Sequence, residues 1–354
     1  MSNSTSAASQ CVNILQIGYG YWGPNVTRNI ASVPGVRIAA LVDTQQDARE
    51  KFSKQYPDAE TGADYTAFLR CSDINGVIIS TPAATHYRIA KEVLEAGKHV
   101  LVEKPIALSS SDGAELVALA ERNRCILMVG HTFLYNPAVR RLKHYIDSGE
   151  LGDIYYIYSH RLNLGIIRQD INALWNFAPH DVSIIVYLLP DKKPLNVTAR
   201  GFSYIQKNIE DVVFFTVEFA GGISANVHIS WIDPNKVRRL TVVGSKKMAV
   251  YDDVSNDAKL QLFDKGVDIK YTNSSEKRFD NYGEFQLLVR AGDMVVPRID
   301  FVEPLKVECA HFIECVRTGM HPLTDGVHGL AVVKILEAAE RSMKNGGYAT
   351  EIEQ

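Results

Sequence analysis

The chain has 354 residues, which corresponds to about two domains of ordinary size. Its 38 Lys and Arg residues nearly balance 41 Asp and Glu residues, and the net charge of −3 excludes the strongly basic surface typical of a nucleic-acid-binding domain. Hydrophobic residues make up 46% of the chain, yet no apolar run approaches the roughly 18 residues of a membrane-spanning helix. We therefore expect a soluble globular protein that binds neither nucleic acid nor membrane.

Three features of the sequence indicate the cellular compartment and whether a metal is bound: the N-terminal segment, the cysteines and the histidines. Residues 1–10 are small and polar, which predicts a disordered tail rather than a signal peptide. The five cysteines are scattered and form no CxxC pair, a pattern typical of reduced thiols. The ten histidines show no metal-binding spacing. These features predict a cytoplasmic protein without a structural metal.

The region 11–130 alternates strand-like and helix-like segments. The strand-like runs are short and apolar: VNILQIG (12–18), VRIAALVD (36–43), GVIISTP (76–82), HVLVEKP (99–105) and ILMVGHT (126–132). Stretches with helical spacing of apolar residues lie between them. This alternation predicts a doubly wound parallel sheet of the Rossmann type, which binds a dinucleotide.

The pattern changes in the region 131–302, which contains strand-length segments with partial alternation and few helices. We predict a second, α+β domain there with a mainly antiparallel sheet and one buried helix near 174–189. The region 303–354 has helical spacing in two segments. The sequence leaves open whether these C-terminal helices pack back on the first domain.

The first chemical motif is Gly18-Tyr19-Gly20-Tyr21-Trp22-Gly23, between the first strand and the first helix. Glycines at this spacing permit a tight turn, a close approach of the backbone to a pyrophosphate, and close packing of strand and helix. Asp43 ends the second strand, where its carboxylate would accept hydrogen bonds from the adenosine ribose and repel a 2′-phosphate. The motif predicts an NAD site with these contacts: Gly18, Gly20, Tyr21, Trp22, Gly23 and Asp43.

The second motif is Glu103-Lys104-Pro105, which follows a strand at the edge where open parallel sheets bind their ligands. Lys104 in this place can orient a hydroxyl group and take part in proton transfer. Glu103 can pair with Lys104 or bind the nicotinamide ribose. A surface salt bridge that caps the strand accounts for the same two residues equally well.

The third motif contains Asn176 and His180, four residues apart and hence on one face of a regular helix. An imidazole suits proton transfer near neutral pH. Taken alone, His180 is more easily explained as a hydrogen-bonded core residue. For the adjacent Asp181, a structural role is as well supported as a chemical one.

Together these segments resemble the Gfo/Idh/MocA oxidoreductase family from residue 12 to about residue 347. The resemblance rests on GYGYWG, the acid that ends the second strand, STPAATH, EKP, GHTFLYNPAVRRLK and LWNFAPHD. It implies a Rossmann domain, an open-faced antiparallel sheet for substrate and oligomer contacts, and nicotinamide-dependent redox chemistry on sugars or cyclitols. It also implies that Lys104 and His180 handle the substrate proton and that the Lys104–Pro105 peptide bond is cis.

The resemblance extends the predicted site in both regions. It adds Thr81, Pro82, His86, Glu103 and Lys104 to the cofactor contacts. The predicted substrate contacts are His131, Asn136, Arg161, Asn163, Arg168, Asn176, His180 and Arg238. For Arg238, a solvated charged strand is at least as well supported. One departure concerns Asn176, because the family pattern usually has an aspartate there, and an amide can hydrogen-bond but cannot hold a proton.

The substrate prediction rests on HRLNLGIIRQDINALW and GHTFLYNP, which most resemble the branch that oxidises UDP-N-acetylglucosamine-type sugars at C3. That branch implies a 3-keto product for a pathway aminotransferase, and the family implies a homodimer or homotetramer. Two alternatives within the family are a keto-sugar reductase and an inositol or free-sugar dehydrogenase. A non-catalytic NAD-binding regulator is the alternative from another class.

Overall fold

The computed structural model describes residues 11–271 and 285–353, so the tail predicted for residues 1–10 lies outside the described residues. The chain divides into two compact units. The first comprises Met1–Asn136 and Val302–Glu337, and the second comprises Pro137–Phe301 and Ala338–Gln354. The predicted roles of regions 11–130, 131–302 and 303–354 in binding dinucleotide and substrate and in forming oligomers remain predictions.

Strands and helices alternate in the first unit, as the sequence predicts. Its strands are β1 (Val12–Ile17), β2 (Val36–Val42), β3 (Glu60–Gly62), β4 (Gly76–Ile79), β5 (His99–Glu103) and β6 (Leu127–Gly130). Its helices are α1 (Gly23–Ala31), α2 (Gln46–Gln55), α3 (Thr66–Leu69), α4 (His86–Glu95), α5 (Ser110–Asn123) and α8 (Pro304–Thr318). Single 3₁₀ turns cover Ala83–Thr85 and Thr132–Tyr135.

The six strands form one parallel sheet in the order β3-β2-β1-β4-β5-β6. The order reverses between β1 and β4, which is the switch point where such sheets bind a dinucleotide outside their carboxyl ends. Strand β4 is buried along its whole length, as expected for a strand covered on both faces. The Rossmann prediction for this part of the chain is confirmed.

The segment after residue 301 contributes to the core of the first unit. Helix α8 packs against α1, and its Phe312 is fully buried at the Gly76 end of β4. Further along, Thr324 accepts the Val129 backbone N–H and Asp325 bridges to Met128, so this segment covers the edge strand β6. Helix α9 (Gly326–Lys344) follows.

The second unit contains a nine-stranded sheet. Its helices are α6 (Pro137–Asp147) and α7 (Ala173–Leu188). Its strands are β7 (Ile154–Leu164), β8 (Pro194–Phe202), β9 (Val212–Phe219), β10 (Ile223–Ser230), β11 (Ile232–Gly244), β12 (Met248–Asp252), β13 (Leu260–Tyr271), β14 (Phe285–Val295) and β15 (Thr350–Glu351). The sheet order is β14-β13-β12-β11-β7-β10-β9-β8-β15.

All neighbouring strands in this sheet are antiparallel except β7 and β10, which confirms the mainly antiparallel prediction. Burial alternates along β9 and β10, so one face of the sheet is covered and the other is open. Helix α7 packs against β7, β9 and β10. The open face carries a row of aromatic and imidazole rings in ring contact: Tyr156, Tyr158, His160, His228, Phe214, Phe202 and Tyr204.

A buried ion pair joins β7 to α7. The side chains of Arg161 and Asp181 are only 6% and 4% exposed, and the guanidinium donates to the carboxylate. The Ser159 hydroxyl also donates to Asp181 at 2.6 Å. A buried charge that loses its partner is strongly destabilising. Asp181 therefore has a structural role within the second unit.

We expect Asp181→Ala to lower the free energy of unfolding by about 3–5 kcal/mol, because it leaves the Arg161 charge buried without its carboxylate. Denaturant unfolding of the purified protein measures this. The matched control is Asp170→Ala, which breaks the solvent-exposed pair with Arg168 and should cost less than ~1 kcal/mol. Equal losses in the two variants would contradict the structural role of Asp181.

Candidate active site

The glycine loop after β1 has the geometry of an anion-binding turn. Gly18 has φ +88°, and a Cβ there would lie 2.7 Å from the Ser80 carbonyl oxygen. A Cβ on Gly23 would lie 2.6 Å from the Gly18 carbonyl oxygen, so both positions require glycine for the turn itself. A Cβ on Gly20 would meet no atom of the protein within 4 Å. The space over Gly20 is thus open to a ligand at the N-terminus of α1, where a phosphate is favoured.

Asp43 is held at the end of β2 by backbone groups. Its carboxylate accepts the Tyr19 N–H at 2.7 Å and the Gln45 N–H at 2.8 Å. The guanidinium of Arg49, in the first turn of α2, donates to the Asp43 carbonyl oxygen at 2.6 Å. The carboxylate is therefore fixed beside the glycine loop, where a ribose hydroxyl can reach its remaining lone pairs. The residues fit the adenosine half of a dinucleotide.

Glu103 links the glycine loop to the end of β5. Its carboxylate accepts hydrogen bonds from the Trp22 side chain and the Lys104 backbone. It packs over Gly130 of β6, where a Cβ would lie 3.0 Å from Oε2. Burial of the carboxyl raises its pKa to about 7, and the nearby positive charge of Lys104 opposes that shift. The carboxyl is therefore poised to change its charge near neutral pH.

The Lys104–Pro105 peptide bond is cis, as the family resemblance implies. His86 lies beside it, with Nδ1 2.7 Å from the Pro105 carbonyl oxygen and Nε2 2.8 Å from the Thr81 carbonyl oxygen. Both ring nitrogens thus face backbone carbonyl oxygens, and the predicted contact of His86 with the cofactor stays a prediction. His86 joins the loops after β4 and β5.

The loop after β4 presents the other two predicted contacts, Thr81 and Pro82. The Thr81 hydroxyl lies 2.7 Å from the Thr85 hydroxyl, and Pro82 is exposed. Tyr21 of the glycine loop is 90% exposed and Trp22 is 37% exposed. These residues leave surface for a ligand along the carboxyl ends of β1 and β4.

Among the described residues of the first unit, four polar side chains have buried atoms without a hydrogen-bond partner: Ser80 (Oγ), His131 (Nδ1 and Nε2), Glu308 (Oε1) and His328 (Nε2). Ser80 follows β4 and His131 follows β6, so both lie at the carboxyl edge of the sheet. Thr132, also after β6, donates to Glu308 Oε2 at 2.8 Å. Buried polar atoms are nearly always paired in native proteins, so the orphaned atoms make this edge of the sheet the candidate ligand site.

Glu308 and His328 are not among the site residues predicted from the sequence. Glu308 is a buried carboxyl within the otherwise apolar face of α8, and burial together with the charge of Glu103 raises its pKa well above its usual value. The one signal in the sequence for Glu308 was an acidic residue at a position where helical spacing predicts burial. A buried acid needs a hydrogen-bonding or charged partner. His328 follows Asp325, whose carboxylate accepts the His328 backbone N–H at 2.8 Å.

The motif of the second unit folds as predicted within one helix. Asn172 caps the N-terminus of α7, and its side-chain oxygen accepts the Trp175 backbone N–H. Asn176 and His180 lie within α7, four residues apart and on one face, and both are half-buried. The His180 carbonyl oxygen accepts the Ser183 hydroxyl at 2.8 Å. The structure thus supports a shared face for the amide and the imidazole.

The predicted arginine contacts carry acidic partners. Arg161 is buried in an ion pair with Asp181, and its predicted contact with the substrate stays a prediction. Arg168 pairs with Asp170 at 2.7 Å, and Arg238 pairs with Asp253 at 3.3 Å. A partner reduces the charge that each guanidinium offers to a diphosphate.

The remaining predicted substrate contacts are Asn136 and Asn163. Asn136 is buried after the 3₁₀ turn that follows β6, and its backbone N–H donates to the Phe133 carbonyl oxygen. Asn163 lies half-buried near the end of β7, two residues beyond Arg161 on the same face. The substrate contacts of Asn136 in the first unit and of Asn163 in the second unit stay predictions.

Within residues 11–271 and 285–353, no three His, Cys, Asp or Glu side chains lie close enough together to hold a metal ion. No helix within the same ranges is both long and apolar enough to cross a bilayer.

Sequence and structure comparisons identify relatives along most of the chain. Residues 12–131 match the model of the Gfo/Idh/MocA oxidoreductase family with its NAD-binding Rossmann fold, and residues 139–250 match the C-terminal domain of that family. The scyllo-inositol 2-dehydrogenase (NAD⁺) of Bacillus subtilis strain 168 is 25% identical over 342 residues, covering 93% of each chain.

A second relative is the UDP-N-acetylglucosamine 3-dehydrogenase of Acidithiobacillus ferrooxidans. It is 26% identical over 221 residues, which cover 59% of this chain and 68% of the relative. Among solved structures, a levoglucosan dehydrogenase in complex with NADH and levoglucosan superposes with a TM-score of 0.81 at 19% identity, covering 97% of this chain and 100% of that one. The chain belongs to the Gfo/Idh/MocA family of oxidoreductases, and its first domain is an NAD-binding Rossmann domain.

Proposed function

We propose that the protein oxidises a ring hydroxyl of a sugar substrate to a ketone with NAD as the acceptor. The observation that carries this proposal is the carboxyl edge of the first sheet. There an open glycine turn and an anchored Asp43 lie on the same edge as Lys104 and the orphaned polar side chains. A hydride acceptor and proton-handling groups at one edge are what the oxidation of an alcohol requires.

The finer proposal for the substrate is a nucleotide-activated sugar of the UDP-N-acetylglucosamine type, oxidised at C3 to the 3-keto sugar. The similarity to UDP-N-acetylglucosamine 3-dehydrogenase supports it. A 3-keto product would suit an aminotransferase in amino-sugar biosynthesis, so such an enzyme is the proposed pathway partner.

In the proposed reaction, Lys104 and His180 handle the proton of the substrate hydroxyl. Lys104 follows β5 at the ligand-binding edge of the first unit, and His180 lies half-buried on α7 of the second. Asn176 shares the His180 face and can orient the substrate or the imidazole, but it cannot take a proton. NAD, when bound, accepts the carbon-bound hydrogen as hydride.

Several residues are proposed to hold the cofactor. The glycine-loop N–H groups would bind the pyrophosphate, and Asp43 would bind the adenosine ribose. Glu103 would face the nicotinamide half, because it ends β5 beyond the switch point. Tyr21, Trp22, Thr81 and Pro82 offer exposed or half-buried surface along this path.

A second candidate is an inositol or free-sugar dehydrogenase, or a keto-sugar reductase using the same residues in reverse. The scyllo-inositol relative matches over a larger share of the chain than the nucleotide-sugar relative does. The acidic partners of Arg161, Arg168 and Arg238 also favour a substrate without a diphosphate. A non-catalytic NAD-binding regulator would need neither Lys104 nor His180.

A panel of purified substrates distinguishes these functions. We expect NADH formation, followed at 340 nm in the standard assay, with a UDP-N-acetylglucosamine-type sugar, and a product lighter by two hydrogens in the mass spectrum. Turnover of scyllo- or myo-inositol alone would select the second candidate. If no sugar or cyclitol is oxidised or reduced, the result would contradict an enzymatic function and favour the non-catalytic NAD-binding regulator.

A homodimer or homotetramer is proposed from the family resemblance and the open sheet face. Phe214, Tyr156 and Phe202 on that face are 44%, 43% and 40% exposed. Exposed aromatic clusters of this kind are typical of interfaces between subunits. Light scattering of the purified protein measures the number of subunits.

The pKa of Glu103 leads to a pH prediction for cofactor binding. The nicotinamide ring of NAD⁺ is positive and favours the ionised carboxylate, whereas the ring of NADH is neutral. With a pKa of about 7 in the free protein, lowered when NAD⁺ binds, the Kd for NAD⁺ should rise as the pH falls below 7 and level off above it. We expect about a tenfold change for each unit of pKa shift.

Titration calorimetry between acidic and mildly alkaline pH measures this dependence. The Kd for NADH should change much less than the Kd for NAD⁺. Glu103→Gln should remove the dependence for NAD⁺, while Glu314→Gln on the exposed side of α8 should keep it. A dependence that survives in Glu103→Gln would assign the titration to another group.

A further inference from the structure

One buried carboxylate fixes the segment between β8 and β9 in the second unit. Asp211 is fully buried, and its Oδ2 accepts the Tyr204 N–H at 2.7 Å and the Ile205 N–H at 2.8 Å. Its Oδ1 accepts the indole N–H of Trp231 at 2.6 Å, and its backbone N–H donates to the Phe202 carbonyl oxygen at 2.8 Å. Hydrogen bonds to a carboxylate are stronger than those between neutral groups, so Asp211 holds this segment firmly against the sheet.

Glu210, the residue before Asp211, contacts the start of α7 twice. Its carbonyl oxygen accepts the Ala173 N–H at 2.9 Å, and its Oε2 accepts the side-chain N–H of Asn172 at 2.7 Å. Asn172 is the capping residue of α7, and its Oδ1 accepts the Trp175 N–H at 3.1 Å. Glu210 therefore pairs one of the N–H groups that a helix leaves open at its N-terminus, and it also orients the side chain that pairs another.

The connection between β7 and α7 is joined to the same segment. The side chain of Gln206 donates to the Arg168 carbonyl oxygen at 2.8 Å. Trp231, which donates to Asp211, accepts the Gly165 N–H at its carbonyl oxygen at 3.0 Å. The chain is thus held by hydrogen bonds from the end of β7 to the first residue of α7.

Helix α7 needs such contacts because it contains Pro179. A proline has no N–H, so the bond to the carbonyl oxygen of Trp175, four residues earlier, is missing. The turns before the proline therefore have one internal hydrogen bond fewer than a regular helix. The Asn176 N–H donates to the Asn172 carbonyl oxygen at 3.0 Å, so the position of Asn176 depends on that of the capping residue.

We propose that Glu210 is a positioning residue of the substrate site, which places Asn176 by holding the capping residue Asn172. The inference rests on the proposed function, in which Asn176 contacts the substrate and His180 handles its proton. Asn176 lies one turn from the capping residue, whereas His180 lies beyond the proline. The contact between Glu210 and Asn172 should therefore affect substrate binding more than proton transfer.

Backbone amide exchange of the full-length protein, followed by mass spectrometry, tests the contact without any substrate. Glu210→Ala removes the acceptor of the Asn172 side chain, and we expect the amide hydrogens of residues 173–178 to exchange about tenfold faster. Glu210→Gln keeps a side-chain oxygen for Asn172 and should exchange like the wild type. The matched control is Glu218→Ala, which removes the same kind of contact, with the Asn196 side chain at 2.9 Å, at the other end of β9.

Steady-state kinetics on whichever panel substrate is turned over tests the positioning role. In Glu210→Ala we expect the KM for the substrate to rise about tenfold while kcat changes less than about threefold. The Kd for NADH should stay within about twofold, because the residues proposed for the cofactor belong to the first unit. Glu210→Gln and Glu218→Ala should keep both kinetic parameters within about twofold of the wild type. A mere loss of folded enzyme gives the opposite result, a lower kcat at an unchanged KM.

Unchanged amide exchange in Glu210→Ala would overturn the inference whatever the protein does. Faster exchange with an unchanged KM would overturn the positioning role and leave the proposed function intact. A raised KM in Glu210→Gln as large as that in Glu210→Ala would also overturn it, because the glutamine keeps the hydrogen bond to Asn172. If the wild type turns over no panel substrate, the proposed function fails and the positioning role fails with it.

Discussion

Lys104→Met should lower kcat by about 10²–10⁴-fold, while the Kd for NADH, whose neutral ring does not depend on the charge of Glu103, changes less than threefold. Methionine keeps most of the length of the side chain but removes the ammonium group, so the change is confined to charge and proton transfer. Lys104 follows β5 at the edge where the ligand is expected, whereas the groups proposed for the adenosine half belong to the glycine loop and β2. Steady-state kinetics and titration calorimetry on the same preparations measure the two effects.

The matched control is Lys98→Met, one residue before β5, where the ammonium donates to the Cys71 carbonyl oxygen at the opposite end of the strand. It should leave kcat within about twofold. His180→Gln is expected to lower kcat as strongly as Lys104→Met, because both residues are proposed to handle the same proton. Near-normal kcat in both Lys104→Met and His180→Gln would remove the catalytic assignment altogether.

Local sequence patterns predicted much of the fold. Five buried runs of apolar residues ending at ligand-binding motifs predicted the parallel sheet, and the glycine spacing predicted the turn between β1 and α1. Each strand-like run and the glycine motif is contained within a short segment of the chain, so it can be read locally. Alternation in the second half predicted antiparallel pairing, although the parallel contact of β7 with β10 depends on long connections that leave no local pattern.

The parts of the site that escaped prediction depend on contacts between distant segments. Glu308 meets Thr132 across 176 positions of sequence, and His328 reaches His131 from the start of α9. The partners of His86 and Arg161 likewise lie outside the motifs that contain these two residues. Their partners, Pro105 for His86 and Asp181 for Arg161, consume the polar groups that a sequence shows as available. The type of a residue and its place near a motif predict which hydrogen bonds or ion pairs its side chain can make. The partner that the fold brings to it determines which of these it makes.

Gly20→Ala should separate cofactor binding from folding. A methyl group on Gly20 would meet no protein atom within 4 Å, so we expect the melting temperature to stay within about 2 °C of the wild type. The same methyl group would occupy the space through which the pyrophosphate approaches the loop, and we expect the Kd for NAD to rise about 100-fold. Calorimetry for binding and a thermal melt without ligand measure the two quantities.

Gly18→Ala provides the contrast within the same loop. Gly18 has φ +88°, and its Cβ would lie 2.7 Å from the Ser80 carbonyl oxygen, so this substitution should destabilise the protein as well as weaken NAD binding. If Gly20→Ala melted as low as Gly18→Ala, the open space over Gly20 would not exist. If it bound NAD like the wild type, the pyrophosphate would have to approach the sheet elsewhere. A normal melt with lost binding is the one result that places the phosphates over Gly20.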